Sequence, residues 1–95
     1  MQVRYCGKVL MARLSAAREL EELKLDLLDV VHVLENGFDC ASGGKRKQGI
    51  HEKCLKVGRK VLRVVAAEGL LRFPGGPSEE VFYLIHASQE TWRKR

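Results

Sequence analysis

The sequence predicts an α+β domain in which an N-terminal helical hairpin packs on one face of a twisted, mainly antiparallel sheet of about four strands. Three observations predict it. Apolar residues recur at helical spacing as far as Asn36-Gly37. A Gly-Arg dipeptide then separates two β-like runs, and a stretch rich in aromatic and β-branched residues follows from Val81 to Ala87. The chain's 95 residues, 1–95, make a single domain, since two cores would not fit. Its 45% apolar and 31% charged residues exclude a disordered chain. The longest stretch free of Asp, Glu, Lys and Arg runs only from Val81 to Gln89, too short to span a bilayer. No apolar secretory segment follows Met1.

Each element follows from its local pattern. Val3 and Tyr5 alternate with Gln2 and Arg4 in a short extended piece that Gly7 breaks. A helix is expected over Val9 to Leu23, with Leu10, Leu14, Ala17 and Leu20 inward and Arg13, Arg18, Glu21 and Glu22 in water. Asp26 is the expected N-cap of a second helix, and Asp29 favours its dipole. Leu27, Val30, Val31 and Leu34 form that helix's apolar stripe, and Asn36-Gly37 stops it through a left-handed glycine. Phe38 to Ala41 reads as a short strand, and 42–49 as a flexible basic loop. Strands Ile50 to Val57 and Lys60 to Glu68 flank Gly58-Arg59, a two-residue type II′ turn. A turn-rich connection with Pro74-Gly75-Gly76-Pro77 leads to the last strand, Val81 to Ala87. The tail from Ser88 frames a helical turn around Trp92.

That turn sets a register. Val57 faces Lys60, Leu55 faces Leu62, Lys53 faces Val64 and His51 faces Ala66, so these residues share the face that the helices cover. Ile50, Glu52, Cys54 and Lys56, opposite Ala67, Val65, Arg63 and Val61, share the open face, with Glu52, Lys56 and Arg63 clustered around Cys54. On the last strand a period of two puts Phe82, Leu84 and His86 on one side, and Tyr83, Ile85 and Ala87 on the other. The pattern leaves open which side is buried.

The charge is segregated. The net charge is +5, yet the window from Lys45 to Arg63 alone carries +7, leaving −2 elsewhere. Lys45, Arg46, Lys47, Lys53, Lys56, Arg59, Lys60 and Arg63 face a single acid there, Glu52, and Arg93-Lys94-Arg95 end the chain. Such a patch fits a polyanion or an acidic protein.

The order helix, helix, antiparallel sheet with a basic middle resembles the RelE/ParE/BrnT-type toxins of bacterial and archaeal toxin–antitoxin pairs. More closely, Asp29-Val30-Val31 to Asn36-Gly37, Glu52-Lys53-Cys54, the run from Gly58 to Val65 and Tyr83-Leu84-Ile85-His86-Ala87 look like a small prokaryotic family of uncharacterised domains related to those toxins. The resemblance spans about Val3 to Ala87. It implies a cytoplasmic type II toxin that binds RNA, including ribosome-bound mRNA, is covered by an acidic antitoxin, and cleaves as a metal-independent endoribonuclease. Such cleavage activates the ribose 2′-OH and stabilises a charged transition state, which takes a base, an acid and cations. The candidate catalytic residues are Glu52 as base, His86 (or His51) as acid, and Lys56 and Arg63 as cations. Lys45, Arg46, Lys47, Lys53, Arg59 and Lys60 are the candidate phosphate contacts, and Tyr83 or Trp92 would stack on a base.

Other chemistries fit less well. His32, Cys40, His51, Cys54 and His86 include zinc-ligand types, but His51 and Cys54 point to opposite faces of a strand and no Cys-x-x-Cys occurs; no metal or other cofactor is expected. Gly43-Gly44-Lys45 lacks the first glycine of a P-loop. Cys54 beside Lys56 and Arg63 is a candidate nucleophile without an evident base, and a packed, inert thiol is the simpler reading. Three cysteines cannot all pair, which points to a reducing compartment. The alternative function is a non-catalytic interaction domain that docks an acidic partner or forms a homodimer through a sheet edge.

Overall fold

The computed structural model describes residues 3–39 and 49–91. The order of elements is β1 (Arg4–Tyr5), β2 (Lys8–Ala12), α1 (Leu14–Leu23), α2 (Leu27–Asn36), β3 (Ile50–Val57), β4 (Lys60–Arg72) and β5 (Ser78–Thr91). The fold is α+β, with two helices on one face of a curled five-stranded sheet in the order β1-β2-β5-β4-β3. The sheet is mixed, since β2 runs parallel to β5 and the other neighbours are antiparallel. Among the described residues, no helix is long and apolar enough to cross a membrane.

A hairpin, not a helix, opens the chain. Tyr5-Cys6-Gly7-Lys8 makes a two-residue turn with φ of 52° at Cys6 and 77° at Gly7, and Tyr5 pairs with Lys8. Positive φ at both central residues is the type I′ geometry that matches strand twist. Residues 9–12, expected in the first helix, belong to β2 because Val9, Leu10, Met11 and Ala12 find strand partners in Val81, Phe82, Tyr83 and Leu84. A short apolar run suits either state, and tertiary pairing decides. With α1 starting at Leu14, its inward residues are Ala16 and Leu20; Leu14 and Ala17, expected inside, are exposed.

α1 ends at Lys24, which takes φ of 58° without being glycine. Lys24 N–H donates to the Glu21 carbonyl and Leu25 N–H to that of Leu20, a Schellman motif that sends the chain straight into α2. There Asp26 caps the helix: its carboxylate accepts from Asp29 N–H, and the Asp29 carboxylate accepts from Asp26 N–H, both at 3.0 Å. Val30, Val33 and Leu34 are buried, with Leu27 and Val31 packed at the margin. The helix stops at Gly37 as expected, but this glycine is extended (φ −75°, ψ 173°), not left-handed.

The β3–β4 hairpin holds the expected register at all eight pairs, from Ile50↔Ala67 to Val57↔Lys60, around Gly58 at φ 61°. Leu62, Val64 and Ala66 enter the core under the helices, and Leu55 packs against it. β4 and β5 are longer than expected: β4 runs on to Arg72 and β5 spans Ser78 to Thr91, so Ser88 to Thr91 is strand and not helical turn. The join is a turn in which Gly76 N–H donates to the Phe73 carbonyl at 3.0 Å, with Gly75 at φ 70°. Phe38 forms a single bridge to Cys54 at the outer edge of β3. Cys40, Ala41, residues 42–48 of the basic loop and Trp92 lie outside the described residues.

One irregularity settles the side open in the sequence. Val65 pairs with His86, whereas Ala66 pairs with Leu84, so Ile85 is an extra residue in β5. The buried set steps from Phe82 and Leu84 to Ala87. His86 therefore leaves the Phe82–Leu84 side and shares a register row with Val65, and Tyr83 shares one with Ala67.

The sheet curls into a half-barrel. Tyr5, on one edge strand, shares a hydrogen bond between its hydroxyl and His51 Nδ1 on the opposite edge strand, at 3.2 Å. Both rings meet Phe82 edge-on, with centroids 5.0 Å (Tyr5) and 5.1 Å (His51) from its ring. Burial, then the hydrogen bond and charge of the Cys6 thiol, then the Glu35 carboxylate push the Tyr5 pKa up from 10.0 to about 12. The folded state thus keeps a proton that the unfolded chain releases. The stabilisation is complete below pH 10 and is lost as pH climbs from 10 through about 12. Thermal melts across that window should show the decline. The part owed to Tyr5 should vanish in Tyr5→Phe, and an unchanged profile in that variant would contradict the assignment.

Candidate functional site

The open face of the β3–β4–β5 sheet carries the sequence-derived candidates in three register rows. Ile50, Ala67 and Tyr83 form one row, Glu52, Val65 and His86 the next, and Cys54, Arg63 and Ser88 the third. Lys56 and Val61 follow towards the Gly58 turn.

Glu52 and Arg63 are brought together. They sit diagonally across the hairpin, and Arg63 Nε donates to Glu52 Oε2 at 2.5 Å while a terminal guanidinium nitrogen approaches the same oxygen. The Glu52 side chain is 3% exposed and that of Arg63 35%. Burying a carboxylate is costly unless it is paired and hydrogen-bonded. Arg63 supplies that pairing, and its fork suits a carboxylate or, equally, a phosphate.

His86 is drawn to a helix instead. Its Nδ1 lies 2.9 Å from Glu19 Oε2 of α1, and Ala87 N–H donates to Glu19 Oε1 at 3.4 Å. β2 pairs with β5 only as far as Ala12↔Leu84, so the Glu19 carboxylate takes up a β5 amide beyond the end of that ladder. A carboxylate on Nδ1 fixes the imidazole's orientation and turns Nε2 the other way. The His86 side chain is 43% exposed. Sequence reasoning missed Glu19 because nothing local marks a contact across 67 positions.

Tyr83 also has a partner that the sequence did not disclose. The Arg13 guanidinium lies 5.6 Å from its ring centroid, a cation–π contact. The ring lies over Gly69, where an added Cβ would stand 2.7 Å from two ring carbons. Gly69 thus leaves room for an aromatic platform on the open face.

The other candidates divide. Lys53 belongs to the opposite face, in register with Val64, and its ammonium bonds the Asp39 carboxylate at 2.6 Å. That contact holds the Asp39 carboxyl below the usual range. His51, the other candidate acid, is bonded to Tyr5 on the covered face. Lys56, Arg59 and Lys60 are exposed around the Gly58 turn. Lys45, Arg46 and Lys47 lie outside the described residues.

Cys54 is disulfide-bonded, which overturns both readings of it as a thiol. A sulfur already in a disulfide is not a thiolate and cannot serve as the nucleophile considered above. Cys6 is a free, exposed thiol. Among the described residues no three of His, Cys, Asp and Glu come together as a metal site.

The chain matches no protein-family description, and neither the curated proteins nor the solved structures contain a significant match to it.

Proposed function

We propose that this chain is an RNA-binding domain of the RelE/ParE/BrnT toxin type, the toxin half of a type II toxin–antitoxin pair. The observation that carries this reading is the gathering of cations on one hairpin, with Lys56, Arg59 and Lys60 exposed at its turn and Arg63 on its open face. Phosphates of a single strand would run along that hairpin, and a base would stack on Tyr83 beside Arg13. An acidic antitoxin would cover the same cations.

The catalytic extension assigns proton transfer to His86, oriented by Glu19, and transition-state charge to Arg63. His86 and Arg63 are diagonal neighbours in the β4–β5 register. Glu52, buried against Arg63, then serves to aim the guanidinium and not as the base. That burial is also the observation that favours the rival reading, a binding domain without catalysis.

Fluorescence anisotropy of a labelled single-stranded RNA against salt tests the proposal. Each phosphate contact contributes about −0.7 to the slope of log K against log salt, so Lys56→Ala/Arg59→Ala/Lys60→Ala should flatten the slope by about 2. Incubation with RNA, with and without ribosomes, tests cleavage: His86→Ala should abolish it, by about 100-fold or more, and leave binding intact. Salt-sensitive binding without cleavage would select the rival, and absence of both would sink the proposal.

A further inference from the structure

The β4–β5 hairpin outruns the rest of the sheet. β3 leaves β4 at Ile50↔Ala67, and β2 leaves β5 at Val9↔Val81. From Leu70 to Arg72 and from Ser78 to Glu80 the two strands pair with each other. This arm exposes Leu70 (51%) and Phe73 (47%).

The β4 edge of the arm is set up to accept a strand. Glu68 N–H points to the β3 side, where it donates to the Gly49 carbonyl at 2.9 Å. Backbone groups alternate in direction along a strand, so Leu70 and Arg72 turn their N–H and C=O to that same edge, where among the described residues no strand pairs with them. Such an edge is a template for pairing. Its charge is self-complementary. At the root of the arm, Lys8, Glu68, Gly69, Leu70 and Glu80 line a shallow groove of about 270 Å³. One ammonium there serves two carboxylates, Lys8 Nζ lying 3.8 Å from Glu68 and 3.5 Å from Glu80. The groove keeps one negative charge in excess, and Arg72 lies on the same face of β4, four residues beyond Glu68.

We propose that the β4 edge of this arm pairs antiparallel with the same edge of a second copy of the chain. Leu71 lies on the two-fold axis. Leu70 stands opposite the partner's Arg72, and Arg72 opposite the partner's Leu70, which exchanges four main-chain hydrogen bonds. Each Arg72 then lies diagonal to the partner's Glu68 and neutralises the acidic groove. The interface is small, so the dimer is a weak one. The inference does not depend on RNA binding.

Sedimentation equilibrium of the whole chain tests it, with a dimer expected at high concentration. Leu70→Pro removes an N–H that points away from β5 and so spares the β4–β5 ladder; it should weaken association about thirtyfold, and Arg72→Glu should weaken it too. Leu71→Cys in a Cys6→Ser background should crosslink into a covalent dimer on oxidation, because residues facing each other across a non-hydrogen-bonded pair lie at disulfide distance. A chain monomeric at about 1 mM, a dimer insensitive to Leu70→Pro, or a Leu71→Cys chain that stays uncrosslinked would each overturn the proposal.

Discussion

Phe82→Ala lowers the melting temperature by about 20 °C, the result expected from losing about 4 kcal/mol in a domain of this size. Phe82 is 2% exposed and is among the largest fully buried side chains. It sits on β5, the central strand, between β2 and β4. The rings of Tyr5 and His51 reach it from opposite edges, and the Lys8 ammonium lies 5.4 Å from its centroid. Truncation removes the transfer free energy of a phenyl group and leaves a cavity. It also withdraws the wall against which the Tyr5–His51 hydrogen bond is held, and that bond joins the sheet's two edges. Phe82→Leu, which refills part of the space, should cost less than half as much. Calorimetry of the two variants checks this. A loss below about 5 °C for Phe82→Ala would mean that the half-barrel does not close on this ring.

The parts of the fold legible in the sequence are those governed by near neighbours. Gly58-Arg59 admits one tight turn type, and the turn dictates all eight β3–β4 pairs. Asp26 and Asp29 announce the start of α2 because a capping box spans three residues. The Glu52–Arg63 pair was legible for the same reason, since both partners belong to one hairpin. The misreadings share a different cause. Val9 to Ala12 became a strand through a parallel partner some seventy positions away. Ile85 became a bulge with no glycine or other local mark, and the extra residue shifted the parity of everything after it in β5. That shift took His86 off the Phe82 side, and Glu19 of α1 meets its imidazole. Arg13 over Tyr83 likewise needed β2 and β5 side by side. The open face was thus foreseen as far as one hairpin extends, while contacts made by β5 and the helices required the tertiary fold.

Gly37→Ala should cost about 3 kcal/mol, although Gly37 has ordinary extended dihedrals that alanine adopts freely. The obstacle is space. A Cβ at Gly37 would stand 2.6 Å from the Cys54 carbonyl oxygen and closer still to that of Val33. Both are backbone atoms, held in β3 and α2, and neither can swing aside as a side-chain tip does. Gly37 N–H also donates to the Val33 carbonyl at 2.7 Å, so the chain is tied to the atom it would strike. Relief means moving the end of α2 away from β3. That breaks the Phe38–Cys54 bridge, whose two hydrogen bonds measure 2.8 and 2.9 Å. Cys54 lies in the row beside Glu52 and opposite Arg63, so the strain arrives at the open face. The expected results are a melting temperature lowered by about 15 °C and faster amide exchange at Phe38 and Cys54. Gly76→Ala is the control, because its added Cβ would meet Phe73 Cβ at 3.4 Å, an ordinary contact. Equal stability of the two variants would show that α2 can pull away from β3 without cost. The open face would then owe its arrangement to the β3–β4 hairpin alone.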